Sequence, residues 1–385
     1  MKTILNKLLL CLFLIGFLSC NANHKNKTHA ELVITESVNY TESKQFIKVA
    51  LLLDTSNSMD GLIDQAKAQL WEIVNELSYA KCQNVRPNLQ IALYEYGNDG
   101  LNGNEGFIRQ VLAFSEDLDE ISKQLFSLTT NGGNEYCGQV IQTSLNQLNW
   151  GKNKDDLKLI FIAGNEPFTQ GSVNYKVATK LANTNDVTIN TIFCGNYNQG
   201  ISSSWKDGAD LGHGNYMAIN HNHETIYVAS PYDQSILDLN KKLNKTYIAY
   251  GKTGHQKMAL QSEQDSNAYE YSSENAVSRT VSKSSHLYKN ATWDLVDAEK
   301  EKSFKYEDLK DSDLPKELKG KSKGELKIIV AKKRKERITI TEEIQRLNIK
   351  RKKFILSQQK DNQNGLESAM IKAIKTQAKK KSYKW

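Results

Sequence analysis

The sequence holds little of what marks a non-globular chain. Four Pro and 22 Gly in 385 residues exclude collagen-like and Pro-rich architectures. Five Cys exclude a disulfide-dense mini-protein. No long apolar run lies beyond the N-terminus, so a bundle of membrane-spanning helices is excluded as well. What is present suffices for a core: 17 Tyr, 11 Phe and 5 Trp argue against wholesale disorder. The net charge of +7 is unevenly spread. Residues 319–385 carry 21 Lys+Arg against 6 Asp+Glu, about +15, and the remainder about −8.

The N-terminus reads as an export signal, residues 1–19. Lys2 and Lys7 precede an apolar stretch from Leu8 to Leu18, too short to span a bilayer comfortably. It ends in Phe17-Leu18-Ser19-Cys20, which resembles the lipobox of bacterial lipoproteins, with Leu one position nearer the Cys than is common. The resemblance implies acylation at Cys20; a plain secretory signal cut near Ser19 is the other reading. Acyl chains on Cys20 anchor stably, each buried CH₂ contributing about 0.8 kcal/mol. Residues 20–45 are polar, a tether reaching roughly 80 Å when fully extended. These features predict a bacterial protein held at the inner or outer membrane and facing the periplasm.

From residue 46 to 250 apolar runs alternate with helical periodicity. Residues 46–53 (FIKVALLL), 157–163 and 187–194 read as strands buried on both faces. Residues 89–96 alternate, and 107–114 follow a Gly/Asn turn; both read as strands. Residues 215–219 and 225–229 are candidates for a last strand. Leu62, Ile63, Ala66, Leu70, Ile73, Val74 and Leu77 repeat at helical spacing and predict a helix over 60–81. Further helices are expected over 117–128, 136–148, 174–182 and 232–247. The alternation predicts an α/β fold with a doubly wound, mostly parallel, Rossmann-like sheet. Ligands of such sheets bind at the carboxyl ends of the strands.

At the end of the first strand stands Asp54-Thr55-Ser56-Asn57-Ser58-Met59. One carboxylate and two hydroxyls at alternate positions are hard oxygen donors suited to Mg²⁺ or Mn²⁺. With few protein charges on it, such an ion stays electrophilic and can take a carboxylate from a partner. The other use of these groups is to satisfy loop N–H donors.

An apolar strand, this Asp-x-Ser-x-Ser, an amphipathic helix and a later Gly132-Gly133 together resemble the von Willebrand factor A domain family. The resemblance covers about half the chain, residues 45–250. It implies a metal-ion-dependent adhesion site, hence protein binding and not enzyme activity. Carried over position by position, it assigns Asp54, Ser56 and Ser58 to the metal. Two positions depart from the pattern. The family's Thr after the paired glycines is replaced by Asn134, with Thr130 on the other side of them. The family's second Asp falls on Gly164, with Asn165 beside it. Asn134 and Asn165 complete the expected donor set; Thr130, Glu135 and Glu166 form its rim. Among family members the chain is most similar to bacterial von Willebrand-type lipoproteins.

Three cysteines remain after the signal and Cys20. Cys137 and Cys194 belong to the rim of the expected site, as a candidate disulfide or as two buried thiols. Cys82 lies at the opposite end. His213, His221 and His223 read as a polar surface loop, with Zn²⁺ binding the other reading. Gly251-Lys252-Thr253 lacks the upstream Gly of a phosphate loop, and no Gly-x-Ser-x-Gly elbow is present. A hydrolase is therefore the weakest of the function classes.

Residues 251–385 form a mainly helical, basic extension, with a hinge over 311–324 and helices over 325–359 and 366–380. The two helices either pair as a hairpin or dock on the main domain. The basic surplus is a solvated helical face, or attracts anionic lipid, or takes an acidic partner. Sparse aromatics and export argue against nucleic acid. A scaffold that needs no metal and binds through these basic helices is the alternative to cation-bridged recognition of a partner's acidic side chain.

Overall fold

The computed structural model describes residues 44–220, 228–358 and 366–385. The strands are β1 (Phe46–Asp54), β2 (Lys81–Cys82), β3 (Asn88–Tyr96), β4 (Ile108–Ser115), β5 (Leu157–Gly164), β6 (Thr188–Cys194), β7 (His213–Ile219) and β8 (Tyr383–Lys384). Six form one sheet in the order β4-β3-β1-β5-β6-β7. β4 runs antiparallel to β3 at the edge, and the other pairings are parallel. The centre of the sheet is β1, whose register sets Leu51 beside Leu93 and Phe161. Its apolar run is buried along nearly its whole length, as a strand covered on both faces must be.

The helices before residue 250 are α1 (Asp60–Leu77), α2 (Leu118–Phe126), α3 (Cys137–Gln147), α4 (Tyr175–Thr184), α5 (Tyr197–Ser202), α6 (Trp205–Leu211) and α7 (Asp233–Asn244). Alternation along β1 divides the core in two. Ile47, Val49, Leu51 and Leu53 meet α1, α2 and α7, while Ala50 and Leu52 meet α3, α4 and Trp205 of α6. Each fully buried Leu or Ile contributes about 1.5–3 kcal/mol by leaving water. Caps begin several helices: Asp117 accepts from the N–H groups of Asp119 and Glu120, and Asn174 from that of Lys176.

The expected helix over 60–81 ends earlier, at Leu77, because Lys81–Cys82 pairs with β8 from the far end of the chain. α5 and α6 have no counterpart among the helices expected from the sequence. They are short, and Trp205 and Ala209 are their main buried apolar anchors. Of the two candidates for a last strand, 215–219 lies in β7, and most of 225–229 falls outside the described residues.

The basic extension comprises α8 (Gly254–Tyr271), α9 (Ser273–Lys283), α10 (Leu295–Ala298), α11 (Lys323–Gln358) and α12 (Leu366–Lys380). α9 packs on α1, and α12 packs on α1, β5 and β7; α11 lies against α7, α9 and α10. Docking, rather than a hairpin of α11 with α12, is what forms. Leu366, Met370, Ala373, Ile374 and Ala378 of α12 complete the core beside α1. α11 runs unbroken for 36 residues, and within it the Thr339 hydroxyl donates back to Lys335 O at 3.3 Å. The expected hinge over 311–324 is pinned by Leu314 and Leu318, buried with Tyr306, Leu326 and Val330. Residues 44–385 form one compact unit.

Candidate functional site

The site is built at the carboxyl end of the central strand. Asp54 is the last residue of β1 and is 0% exposed. The chain then turns sharply: Met59 N donates to Ser56 O at 3.0 Å, and the buried Met59 side chain roots the turn. Ser56 N donates to Asp54 Oδ1 at 2.8 Å. The Ser56 and Ser58 hydroxyls stand 3.4 Å apart, and Asn165 Nδ2 donates to Ser58 Oγ at 3.1 Å. Four of the five expected metal residues therefore share one place.

The fifth does not. Asn134 is exposed, while its neighbour Glu135 is 5% exposed and lies beside Ser56. The inward carboxylate of this loop is thus Glu135, which the sequence reading placed only on the rim. Thr130 turns away and donates to Asp60 at the start of α1. Glu166 stays half-buried on the rim, and its carbonyl accepts from Trp205 Nε1 at 2.7 Å.

Two buried acceptors here have no hydrogen-bond partner: Asp54 Oδ2 and Asn165 Oδ1. A buried acceptor without a donor is costly, about 1–3 kcal/mol and more for a charged group. Burial pushes the Asp54 carboxyl up to about 7, against the Ser56 N–H and hydroxyl, which hold it down. Burial, reinforced by the charge of Glu166, pushes Glu135 up to about 7 as well. The cluster is thus rich in oxygen donors and poor in positive charge. Among the described residues no group of three or more His, Cys, Asp or Glu has metal-binding proximity, so hydroxyls and an amide would have to make up the donor set.

Glycines make room for this crowding. A Cβ on Gly97, whose φ is +77°, would stand 2.9 Å from Asp54 Oδ1 and 2.8 Å from Glu135 Cγ. A Cβ on Gly133 would stand 2.2 Å from Gly97 O. Two further residues were missed by the sequence reading. The Tyr96 hydroxyl lies under the site and donates to Ala163 O at 2.9 Å. Asn98 joins three loops, donating to Thr129 O at 3.0 Å and Thr55 O at 3.5 Å while accepting from Gly100 N. The signal for both was their position at and just past the carboxyl end of β3.

The candidate disulfide does not form. Cys137 and Cys194 are free and buried. Cys137 belongs to the core on the α3 face of the sheet and Cys194 to the core on the α1 face. Tyr96 Oη is 3.8 Å from Cys137 Sγ. Burial raises both thiols well above the usual range, so neither is a thiolate nucleophile. His213 opens β7 at the opposite end of the sheet, and His221 and His223 fall outside the described residues.

A model of the von Willebrand factor type A domain matches residues 48–242. No curated protein matches the chain. Among solved structures, the conserved hypothetical protein BatB from Bacteroides thetaiotaomicron is 14% identical. The match covers 45% of this chain and 90% of that one, with a TM-score of 0.35. The SpRpn10 VWA domain is 17% identical over 45% of this chain and 87% of its own, with a TM-score of 0.35. A von Willebrand factor type A protein from Catenulispora acidiphila is 16% identical over 46% and 39%, with a TM-score of 0.34.

Proposed function

The chain belongs to the von Willebrand factor type A domain family, and on that premise we propose that it is a membrane-anchored recognition protein with a cation-dependent site at Asp54. Domains of this family commonly mediate protein–protein interaction and are generally not enzymes. The reading for this chain rests on one observation: Asp54 Oδ2 is buried without a donor, in a cluster with the Ser56 and Ser58 hydroxyls, Glu135 and the unpartnered Asn165 Oδ1. Those atoms fit a hard divalent cation, Mg²⁺ or Mn²⁺. Asp54, Ser56, Ser58 and Glu135 would hold it, with Asn165 beside them. A bound cation would supply a positive centre for a carboxylate of the partner. The protein's residues supply the rest: a rigid turn held by Met59 and a rim formed by Asn134 and Glu166. The anchor at Cys20 would hold this rim at a bacterial membrane, facing the periplasm.

A second reading has its own support. Burial brings Asp54 and Glu135 both to about 7, so protons alone relieve much of the cost of burying them and the site can stay intact without an ion. The protein would then be a metal-independent scaffold whose basic helices make the contacts.

Calorimetric titration of Mg²⁺ and Mn²⁺ into a chain beginning at Asn21 separates the two. One-site binding that vanishes in Asp54→Ala supports the first reading. No binding at millimolar ion overturns it in favour of the second.

A further inference from the structure

The end of the sheet opposite the site is where the described chain begins and where its last residues are tied down. Four segments meet there. Asn88 N donates to Gln45 O at 2.8 Å, and Gln45 Nε2 donates to Asp155 O at 3.2 Å. Tyr383 Oη donates to Asp155 O at 2.9 Å, and Lys381 Nζ to Lys154 O at 2.9 Å. Lys81 pairs with Lys384 across the β2–β8 ribbon. Residues 44–46, 81–88, 151–156 and 379–385 are thus one surface.

That surface is cationic. Lys44, Lys81, Arg86, Lys152, Lys154 and Lys384 are exposed, and none forms an ion pair among the described residues. Lys44 also borders Glu301, Asp308 and Asp313 on its other side, but the carboxylates near the remaining five cations are mostly spent. Asp186 pairs with Lys381 at 2.6 Å, Glu76 pairs with Lys352 and Lys375, and buried Asp156 accepts from Phe46 N. Asp155 alone among the side chains of the four segments is an exposed, unpaired carboxylate. Two apolar groups stand among the cations: Val85 is 47% exposed and Trp385 39%. Trp385 Nε1 donates to Glu76 O at 3.1 Å, which fixes the ring at the surface with Lys375 Nζ 5.6 Å from its centroid.

We propose that this end of the domain docks on an anionic lipid surface, with Lys81, Arg86, Lys152, Lys154 and Lys384 against the headgroups and Val85 and Trp385 at the boundary. Clustered cations near an anionic leaflet attract it additively, and Trp prefers the membrane–water interface. The proposal deepens the membrane-anchored reading, since Lys44 continues directly from the tether that carries Cys20. It also orients the protein. β1 spans nine residues, so the docked end and the Asp54 site are about 30 Å apart. A domain docked this way holds its recognition rim away from the membrane. The cations that matter are those at this end and not the long basic face of α11.

The test is vesicle sedimentation with a chain beginning at Asn21, which retains the whole compact unit of residues 44–385 and carries no acyl chain. The probes are phosphatidylcholine vesicles with and without phosphatidylglycerol. Binding only to the phosphatidylglycerol vesicles, weakened by salt, is expected. Arg86→Glu combined with Lys152→Glu should weaken it by roughly tenfold or more. Lys176→Glu combined with Lys206→Glu, the same charge change on α4 and α6, should leave it within about twofold. Equal loss in the two double variants, equal binding to both vesicle types, or no binding at low salt each overturns the proposal. So does binding to soluble heparin in the absence of vesicle binding, which would assign the surface to an acidic polymer. Failure of the anchor reading shows separately, as unmodified Cys20 by mass spectrometry of the membrane fraction, and leaves the vesicle result standing.

Discussion

Gly164 sits against Asp54 with no space for a side chain between them. A Cβ on Gly164 would stand 2.9 Å from Asp54 Oδ2 and 2.6 Å from Tyr96 Oη. The position that the family resemblance assigns to a second Asp is therefore closed in this backbone. Gly164→Ala should destabilise the fold by about 1–3 kcal/mol through overpacking and should weaken cation binding by displacing the Asp54 carboxylate. Denaturant unfolding and ion titration of the same variant check both. A stable variant with unchanged ion affinity would show that the site has room the structure does not display.

Glu135 and Asn134 make opposite predictions from adjacent positions. Glu135→Gln should lower Mn²⁺ affinity by roughly tenfold, since it removes one of two inward carboxylates; Asn134→Ala should leave it within about twofold. The pH dependence has a definite sign. Asp54 and Glu135 ionise near 7 when folded, above their ordinary values of 3.8 and 4.5. Without an ion, the folded state holds more protons than the unfolded chain between those limits. Their contribution to stability is therefore full below about pH 4 and is lost as pH rises through 7. A cation must displace those protons, so its affinity should rise between pH 6 and 8. The thermal shift given by Mn²⁺ should accordingly be larger at pH 8 than at pH 6. Equal shifts at the two values would exclude ligation by these carboxylates.

A buried charge cluster joins the basic extension to the sheet domain. Arg279, 1% exposed, reaches Asp119 of α2 at 2.8 Å and Asp265 of α8 at 2.6 Å, and Lys283 Nζ lies 2.7 Å from Asp265. These cations hold the Asp265 carboxyl far below the usual carboxylate range. Its stabilisation is present above about pH 4 and is lost as pH falls further. Among the described residues, Asp265→Ala leaves Lys283 without its only ion-pair partner and deprives Arg279 of one of two. It should cost about 3–5 kcal/mol in chemical unfolding. A loss under 1 kcal/mol would mean that the cluster opens to water.

The sheet was legible from residues alone because its strands state their burial. The apolar runs of β1, β5 and β6 are long, and the turn after β1 carries its donors at fixed spacing. The helices α5 and α6 were not legible, since two anchors across two short helices give no period. The choice between Asn134 and Glu135 was also hidden. Adjacent residues in an irregular loop have no fixed facing, and only the folded loop turns Glu135 inward and leaves Asn134 exposed. The cysteine pair failed for a related reason. Sequence places Cys137 and Cys194 near one rim, but the alternation of side chains across β6 sends Cys194 to the other face.

By itself the sequence determined the family, the strand–helix alternation and the placing of Asp54, Ser56 and Ser58 in one turn at the end of the first strand, because local periodicity and a contiguous motif need no distant partner. Tertiary structure decided what depends on distant partners: the inward turn of Glu135, the orphaned Asp54 Oδ2, and the docking of α12 on α1. It also decided that lysines from residues 44, 81, 152 and 384, far apart along the chain, share one surface. Those outcomes depend on which segments are brought side by side, and the energy that fixes them is the burial of the core between them.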